Sequence, residues 1–273
     1  METFQLSEKL LKKIANLILA KKNTPLKKIV KDIHFADMAE IINELNEDQG
    51  VYLIKLFDSE KTSEILTELD EDVREKILKV LSVKEIADEI EELDSDDAAD
   101  ILGELSEKRK EEVISEISDN DLADDLKELL SYKEDSAGGL MAKELVLANE
   151  NWSITKCLKE IKKQGENVTR VHSIYVVDDK QKLIGRLSLK DLIISPAKKL
   201  IKDIYIPKVD SVNVYEDGEE VAKIMSKYDL EAIPVVDNNK KLVGRITIDD
   251  IVDFIKEEAE EDYLLAAGVQ GDV

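Results

Sequence analysis

The feature that most constrains the fold is a segment in the second half of the chain that occurs twice, at 173–193 and again at 232–252. The first copy reads SIYVVD at 173–178 and LIGRLSLKDLI at 183–193, and the second reads AIPVVD at 232–237 and LVGRITIDDIV at 242–252. Each copy predicts a buried strand of β-branched residues, a polar turn, a second strand containing glycine, and a helix. Apolar residues at helical spacing predict one more helix before each copy.

The duplicated segment resembles a CBS-domain pair, with one repeat at residues 134–197 and the other at 198–256. The resemblance rests on the strand–turn–strand pattern and on Gly-Arg-x-Ser/Thr-x-x-Asp, which occurs in both copies. It implies an α+β fold and a regulatory role, since CBS pairs commonly bind adenine nucleotides or cations and are not themselves catalytic.

Four residues of this pattern are candidate nucleotide ligands: Ser188, Asp191, Thr247 and Asp250. In CBS pairs the Ser or Thr and the Asp three residues later often contact a nucleotide ribose, which makes ATP a candidate ligand. From the residues alone, Ser188 and Thr247 are first of all expected to be helix N-caps. Leu230 counts against nucleotide binding, since some relatives carry an aromatic residue there that stacks on adenine.

Residues 1–133 have the pattern of consecutive short helices, with apolar residues spaced by three and four. Similar phrases recur at 37–45, 97–105 and 121–129, and Ser82 with Glu85 predicts a capping box. Repeated short helices stack into a solenoid. The spacing of the phrases looks irregular, so the prediction is limited to an all-α superhelix.

The charge of the chain restricts its partners. The chain has 62 Asp and Glu against 39 Lys and Arg, a formal net charge of −23. A nucleic-acid-binding protein needs a basic face, so this balance excludes nucleic acid and favours cations or a basic partner surface. The single cysteine, Cys157, rules out an internal disulfide and indicates a reducing compartment.

The segment 1–34 departs from this acidity, with eight Lys against Glu2, Glu8 and Asp32. A basic amphipathic helix of this kind is typical of contact with an anionic membrane leaflet. It also fits a capping helix docked on the acidic body, which is the interpretation we favour.

Catalytic signatures and membrane spans are not evident in the sequence. It contains no phosphate-binding loop, no His-Glu-x-x-His and no Gly-x-Ser-x-Gly, so we do not expect an enzyme. No stretch approaches the ~20 apolar residues that a membrane helix requires.

The order of these segments resembles the cytosolic region of MgtE magnesium transporters. An acidic superhelix is followed by DSAGGLM at 135–141, by the CBS pair, and by an acidic helix that begins the connecting segment at 257–273. The resemblance implies a homodimer that contacts the membrane pore domain of the same parent protein, at the cytoplasmic face of the membrane. The resemblance also favours the interpretation that this chain is a fragment of a longer protein over the interpretation that it is a standalone sensor.

The resemblance further implies a set of Mg²⁺ ligands. Mg²⁺ prefers oxygen ligands and uses few carboxylates per site. The implied ligands lie on the superhelix, on the second CBS repeat and on the last helix: Asp96, Asp100, Asp217, Glu219, Ser226 through its carbonyl, Asp229, Asp250, Asp253, Glu258, Glu261 and Asp262. In this mechanism high Mg²⁺ holds the acidic surfaces together and closes the pore, and low Mg²⁺ releases them.

Two other functions remain open from the sequence. The chain fits a CBS regulator for which ATP or AMP is the signal and the acids are incidental. The helical half also loosely resembles the superhelices of flagellar motor switch proteins, which act as scaffolds through protein contacts alone.

Overall fold

The structure, a computed structural model, describes residues 4–165, 168 and 170–266, with side chains omitted for 260–262 and 264–266. The chain forms two compact units, residues 1–126 and residues 127–273. The predicted fold class is confirmed, since an all-α unit precedes a unit built from two small mixed sheets.

The first unit is a succession of short helices. Their bounds are α1 Glu8–Leu19, α2 Asn23–Val30, α3 Phe35–Asn43, α4 Glu47–Ile54, α5 Ser59–Thr67, α6 Glu71–Val80, α7 Val83–Ile90, α8 Ser95–Gly103, α9 Glu107–Glu116 and α10 Asn120–Leu129. Helix α10 runs across the boundary between the units. Polar caps explain many of the starts: Asn46 and Asp58 accept the N3 backbone N–H, and Ser82 forms the predicted capping box with Glu85.

The spacing of these helices is regular, which corrects the irregular period inferred from the sequence. From α3 to α9 the same step of 12 separates each helix start from the next, from Phe35 and Glu47 through to Ser95 and Glu107. The phrases at 37–45, 97–105 and 121–129 are separated by multiples of this step. The regularity is hidden in the sequence because apolar type varies freely at a core position.

Side-chain contacts follow the same period. The ammonium of Lys61 donates to the backbone carbonyls of Val30 and Ile33, at 3.2 and 3.0 Å. Arg109, at the equivalent position of a later repeat, donates to the carbonyls of Leu78 and Leu81 in the same way. These cations satisfy helix C-terminal carbonyls that have no partner within their own helix.

Within the described residues, the second unit contains six strands, four further α-helices and a 3-10 helix. In chain order they are β1 Val146–Asn149, α11 Ile154–Gln164, β2 Ile174–Val177, β3 Leu183–Leu187, α12 Leu189–Ile194, a 3-10 helix Ile201–Asp203, β4 Val212–Asn213, α13 Gly218–Tyr228, β5 Ala232–Val236, β6 Leu242–Thr247 and α14 Ile248–Ala266. Strands β1–β2–β3 form one sheet and β4–β5–β6 the other, each with a parallel and an antiparallel pair.

The two sheets repeat each other down to their turns. Asp178 accepts the N–H groups of Lys180 and Lys182 at 2.8 and 2.9 Å. Asp237, the equivalent residue of the second copy, accepts the corresponding N–H groups of Asn239 and Lys241, both at 2.8 Å. The duplicated sequence therefore specifies the same hairpin twice.

The glycine of each second strand is required by a close approach of backbone from elsewhere in the unit. A Cβ on Gly185 would lie 2.3 Å from the carbonyl oxygen of Ile206, and one on Gly244 would lie 2.8 Å from that of Ala142. These two segments pair as bridges with β3 and β6 respectively. Only glycine leaves room for that pairing.

Among the described residues, no helix is both long enough and apolar enough to cross a membrane.

Candidate nucleotide and metal sites

The first candidate site is a cleft in the first CBS repeat with a volume of 320 Å³. It is lined by residues 171–174 before and at the start of β2, by residues 186–189 at the end of β3, and by Ile206. Ser188 is the only one of the four predicted nucleotide ligands among these lining residues.

Ser188 and Asp191 have the geometry of a helix start. The Ser188 hydroxyl accepts the N–H of Asp191 at 3.4 Å, which confirms the predicted N-cap of α12. Both side chains are half-buried. A ligand in the cleft would therefore meet a hydroxyl that already accepts one hydrogen bond and still has a proton to donate.

The matching residues of the second repeat bond to each other. The backbone N–H of Thr247 donates to Oδ2 of Asp250 at 2.7 Å, and the Thr247 hydroxyl lies 2.8 Å from the same oxygen. Burial raises the pKa of Asp250, and the two bonds from Thr247 only partly oppose this. A ligand at this position would have to replace those bonds.

Helix α13 carries four of the predicted metal ligands. Asp217 is its N-cap and accepts the N–H of Glu219 at 3.1 Å. Glu219 also pairs with Lys223 at 3.1 Å on an exposed surface. Ser226 is exposed, and Asp229 ends the helix in the left-handed conformation with φ 50°.

Helix α14 carries the predicted metal ligands of the second unit that are not on α13. Asp250 lies in its first turn, Asp253 pairs with Lys256 at 2.5 Å, and Glu258 is half-buried. Glu261 and Asp262 belong to the helix, but their side chains lie outside the described residues.

The two helices are neighbours, but the acids on them are spread out. Helix α13 packs against α14, and Gly218 lies directly against the Phe254 ring. Asp217 and Asp229 cap opposite ends of α13, which places them about 18 Å apart along a helix that rises ~1.5 Å per residue. No single ion can contact both, so the predicted ligands of this surface require at least two separate ions.

Asp96 and Asp100 lie in the first unit, on helix α8. They are four residues apart and therefore share one face of the helix. Asp96 is half-buried, its Oδ1 accepts the N–H of Asp97 at 3.0 Å, and Asp100 is exposed.

Sequence reasoning missed the cations on the same helices. Lys223 pairs with Glu219 and with Glu220, and Lys256 pairs with Asp253. The sequence could have revealed these pairs, because each lysine lies three or four residues after an acid on the same helix. Such exposed pairs contribute little to stability, so they do not prevent a cation from binding the same carboxylates.

Comparison with known proteins identifies both halves of the chain. Residues 33–135 match the family model of the MgtE intracellular N domain, and residues 137–197 and 201–257 each match the CBS domain. Fold and sites therefore define a class, the helical N domain joined to a CBS pair.

Two curated relatives of the chain are magnesium transporters. It is 41% identical over 131 residues to the magnesium transporter MgtE of Thermus thermophilus, which is 48% of this chain and 29% of that protein. MgtE of Enterococcus faecalis is 39% identical over 140 residues, 51% of this chain and 31% of that protein. The chain thus spans about a third of the length of the curated relatives it matches.

Solved structures extend the similarity to nearly the whole chain. The cytosolic domain of the Mg²⁺ channel MgtE in complex with ATP is 30% identical with a TM-score of 0.81, covering 89% of this chain and 99% of that one. The soluble part of a magnesium transporter is 28% identical with a TM-score of 0.77, covering 92% and 99%. The chain belongs to the MgtE family, as its sequence resemblance predicted.

Proposed function

We propose that the chain is the Mg²⁺-sensing regulatory region of a magnesium transporter and has no catalytic activity of its own. The observation that carries the proposal is the α13–α14 surface, where acids on two packed helices pair with exposed lysines. Mg²⁺ would bind there through Asp217, Glu219, Ser226 and Asp229 on α13, and through Asp250, Asp253, Glu258, Glu261 and Asp262 on α14.

The charge of the two units supports a cation as the signal. Residues 1–126 contain 34 acids and 17 basic residues, a formal charge of −17, and residues 127–273 contain 28 acids and 22 basic residues, a charge of −6. Two units of like charge repel each other at low salt. Mg²⁺ at Asp96 and Asp100 on one unit and at the acids of the other would lower that repulsion and favour a compact state, in which the pore is closed.

The relatives' length supports a longer parent protein. We place the transport pore in the part of such a parent that this chain does not contain, with the sensing region at the cytoplasmic face of the membrane. High Mg²⁺ would then act as a feedback signal by changing the population of the compact state.

Small-angle X-ray scattering tests this proposal directly. We expect a smaller radius of gyration in millimolar Mg²⁺ than in EDTA at equal ionic strength. Replacing Asp96 and Asp100 with Asn should remove the difference, and the control Glu40→Gln, at an exposed site on α3, should retain it. Superimposable curves for the unmodified chain would refute Mg²⁺ sensing.

A second candidate function, nucleotide binding, is favoured by the cleft at Ser188. A solved structure of similar fold has ATP in its complex, and Ser188, one of the four predicted nucleotide ligands, lines the 320 Å³ cleft. Calorimetry with ATP in the absence of divalent cations should detect binding that Ser188→Ala weakens more than Thr247→Ala, since Ser188 lines the cleft and Thr247 already bonds to Asp250. Equal effects would argue against the first-repeat cleft.

A second copy of the chain is the partner that we propose for the CBS pair. Helix α12 exposes Leu189, Ile193 and Ile194, and α14 exposes Ile248, Val252 and Ile255, with exposed fractions of 39–67%. Apolar side chains exposed in groups along two helices favour an interface. Light scattering should report a dimer that Ile193→Lys dissociates, whereas Leu19→Lys on α1, where Leu19 is 72% exposed, should leave it intact.

A further inference from the structure

One core position of the helical repeat carries a carboxylic acid. In six helices the residue at this position is aliphatic and at most 2% exposed: Ile41, Leu53, Ile65, Ile77, Ile101 and Val113. These residues are separated by multiples of the helix step. The same register in α7 is occupied by Glu89, which is half-buried. The neighbouring core residues of α7, Ile86, Ala87 and Ile90, are buried as in the other helices.

The inner oxygen of the Glu89 carboxyl group, Oε2, is buried and has no hydrogen-bond partner among the described residues. Burial raises the pKa of Glu89, and the acids Asp88, Glu92, Glu85 and Asp58 raise it further, to about 8. An ionised carboxylate without a partner is costly in such a place, so the neutral form is favoured.

The cations on the helices packed against α7 have partners other than Glu89, although Nε of Arg109 is buried without a partner among the described residues. Helix α7 packs against α5 and α9. Near α5, Lys55 pairs with Glu85 at 3.1 Å and Lys61 donates to carbonyls at the end of α2. On α9, Lys108 pairs with Glu112, Lys110 pairs with Glu107, and Arg109 donates to carbonyls at the end of α6.

We propose that Glu89 is a proton-binding site, neutral while α7 is packed, whose ionisation loosens α7 from α5 and α9. The folded superhelix would then hold one proton more than the unfolded chain at neutral pH. Helix α8 follows α7 and carries Asp96 and Asp100, so the site would also couple the proposed Mg²⁺ sensing to pH. That last consequence rests on the proposed function, and the proton site itself does not.

The direction of the pH effect follows from linkage. The carboxyl of Glu89 titrates near its ordinary pKa of 4.5 in the unfolded chain and near 8 in the folded chain. Between these values the folded state binds more protons, so its stability falls as pH rises and levels off above the folded pKa. The destabilising contribution is therefore absent at low pH and largest above about pH 8.

Urea unfolding of Glu89→Gln between about pH 5 and pH 9 tests the proposal. Gln has nearly the same shape and no charge, so its equilibrium unfolding constant relative to the unmodified chain should fall by about tenfold or more across this range. Glu40→Gln, at an exposed repeat position, should keep a constant ratio. A constant ratio for Glu89→Gln as well would overturn the proposal.

Two further measurements keep the test decisive if the Gln variant folds poorly. Glu89→Ile restores the aliphatic residue of the other helices and should show the same reduced pH dependence. Carbon-13 NMR of labelled glutamate carboxyls should show one resonance titrating near 8 that both variants lack. A full set of carboxyls titrating in their ordinary range would contradict a proton site, whatever the outcome of the Mg²⁺ scattering experiment.

Discussion

Substitution of Gly218 by Ala is the sharpest perturbation of the α13–α14 surface. A Cβ at this position would lie 2.7 Å from Cζ and 2.9 Å from Cε1 of Phe254, and 3.0 Å from the carbonyl oxygen of Asp135. Ordinary carbon–carbon contacts begin near 3.4 Å, so Phe254 or the helix must move by about 0.7 Å. The backbone N–H of Gly218 donates to the same Asp135 carbonyl at 2.8 Å, which leaves the start of α13 little freedom to move.

The expected loss of stability follows from two opposing terms. Overpacking of a filled core costs about 1–3 kcal/mol, and the gain in helix propensity from Gly to Ala offsets at most about 1 kcal/mol. The net loss is about 1–2 kcal/mol. For a unit of this size that corresponds to a fall of about 2–8 °C in the melting temperature.

Thermal unfolding followed by circular dichroism, with and without Mg²⁺, measures the loss of stability and the change in stabilisation by Mg²⁺. The matched control is Gly103→Ala in α8, where a Cβ meets nothing within 4 Å and stability should rise slightly. Displacing α14 also separates Asp217 and Glu219 from the acids of α14, so the stabilisation by Mg²⁺ should shrink. A Gly218→Ala protein that is as stable as the parent would refute the packing argument.

Three further predictions concern the buried groups and the first helix. Tyr175→Phe should stabilise the chain by about 1 kcal/mol in urea unfolding, because the Tyr175 hydroxyl is buried without a partner among the described residues; a loss of stability would reveal a partner for it. Cys157 should react with a thiol reagent near pH 8 only on unfolding, because it is buried and burial raises its pKa to about 11; rapid labelling of the folded chain would contradict this. Removal of residues 1–20 should lower the melting temperature, because it exposes the surface that Ile14 and Ile18 cover, at about 1.5–3 kcal/mol per side chain; an unchanged value would contradict the assignment of α1 as a capping helix.

The CBS pair was predictable because its determinants are local and occur twice. The turn that Asp178 makes recurs at Asp237, and the residues before each turn are fully buried in β2 and nearly so in β5. The close approach that requires Gly185 and Gly244 was not predictable from either copy alone. It depends on the segments at Ala142 and Ile206, which lie outside the repeated pattern.

The sequence predicts the candidate residues of each site but not the hydrogen bonds that those residues make in the fold. Asp217 and Asp229 begin and end α13. The sequence pattern treats Ser188 and Thr247 as equivalent, whereas Thr247 bonds to Asp250 and Ser188 lines a cleft. That difference arises from packing around each helix start, which no local pattern encodes.

The helical unit shows why a regular period can stay hidden and why finding it is informative. A solenoid core requires only an apolar residue of suitable size at each repeated position, so Ile, Leu and Val replace one another and no phrase recurs letter by letter. Once the evenly spaced helix starts fix the register, a departure from the pattern becomes visible. Glu89 is such a departure: on the sequence alone it is one acid among 62, and only its register identifies it as an acid in an aliphatic position. A chain selected only for stability would carry Ile there, as in α3 and α8, so the retained carboxyl is the feature of this unit that packing does not explain.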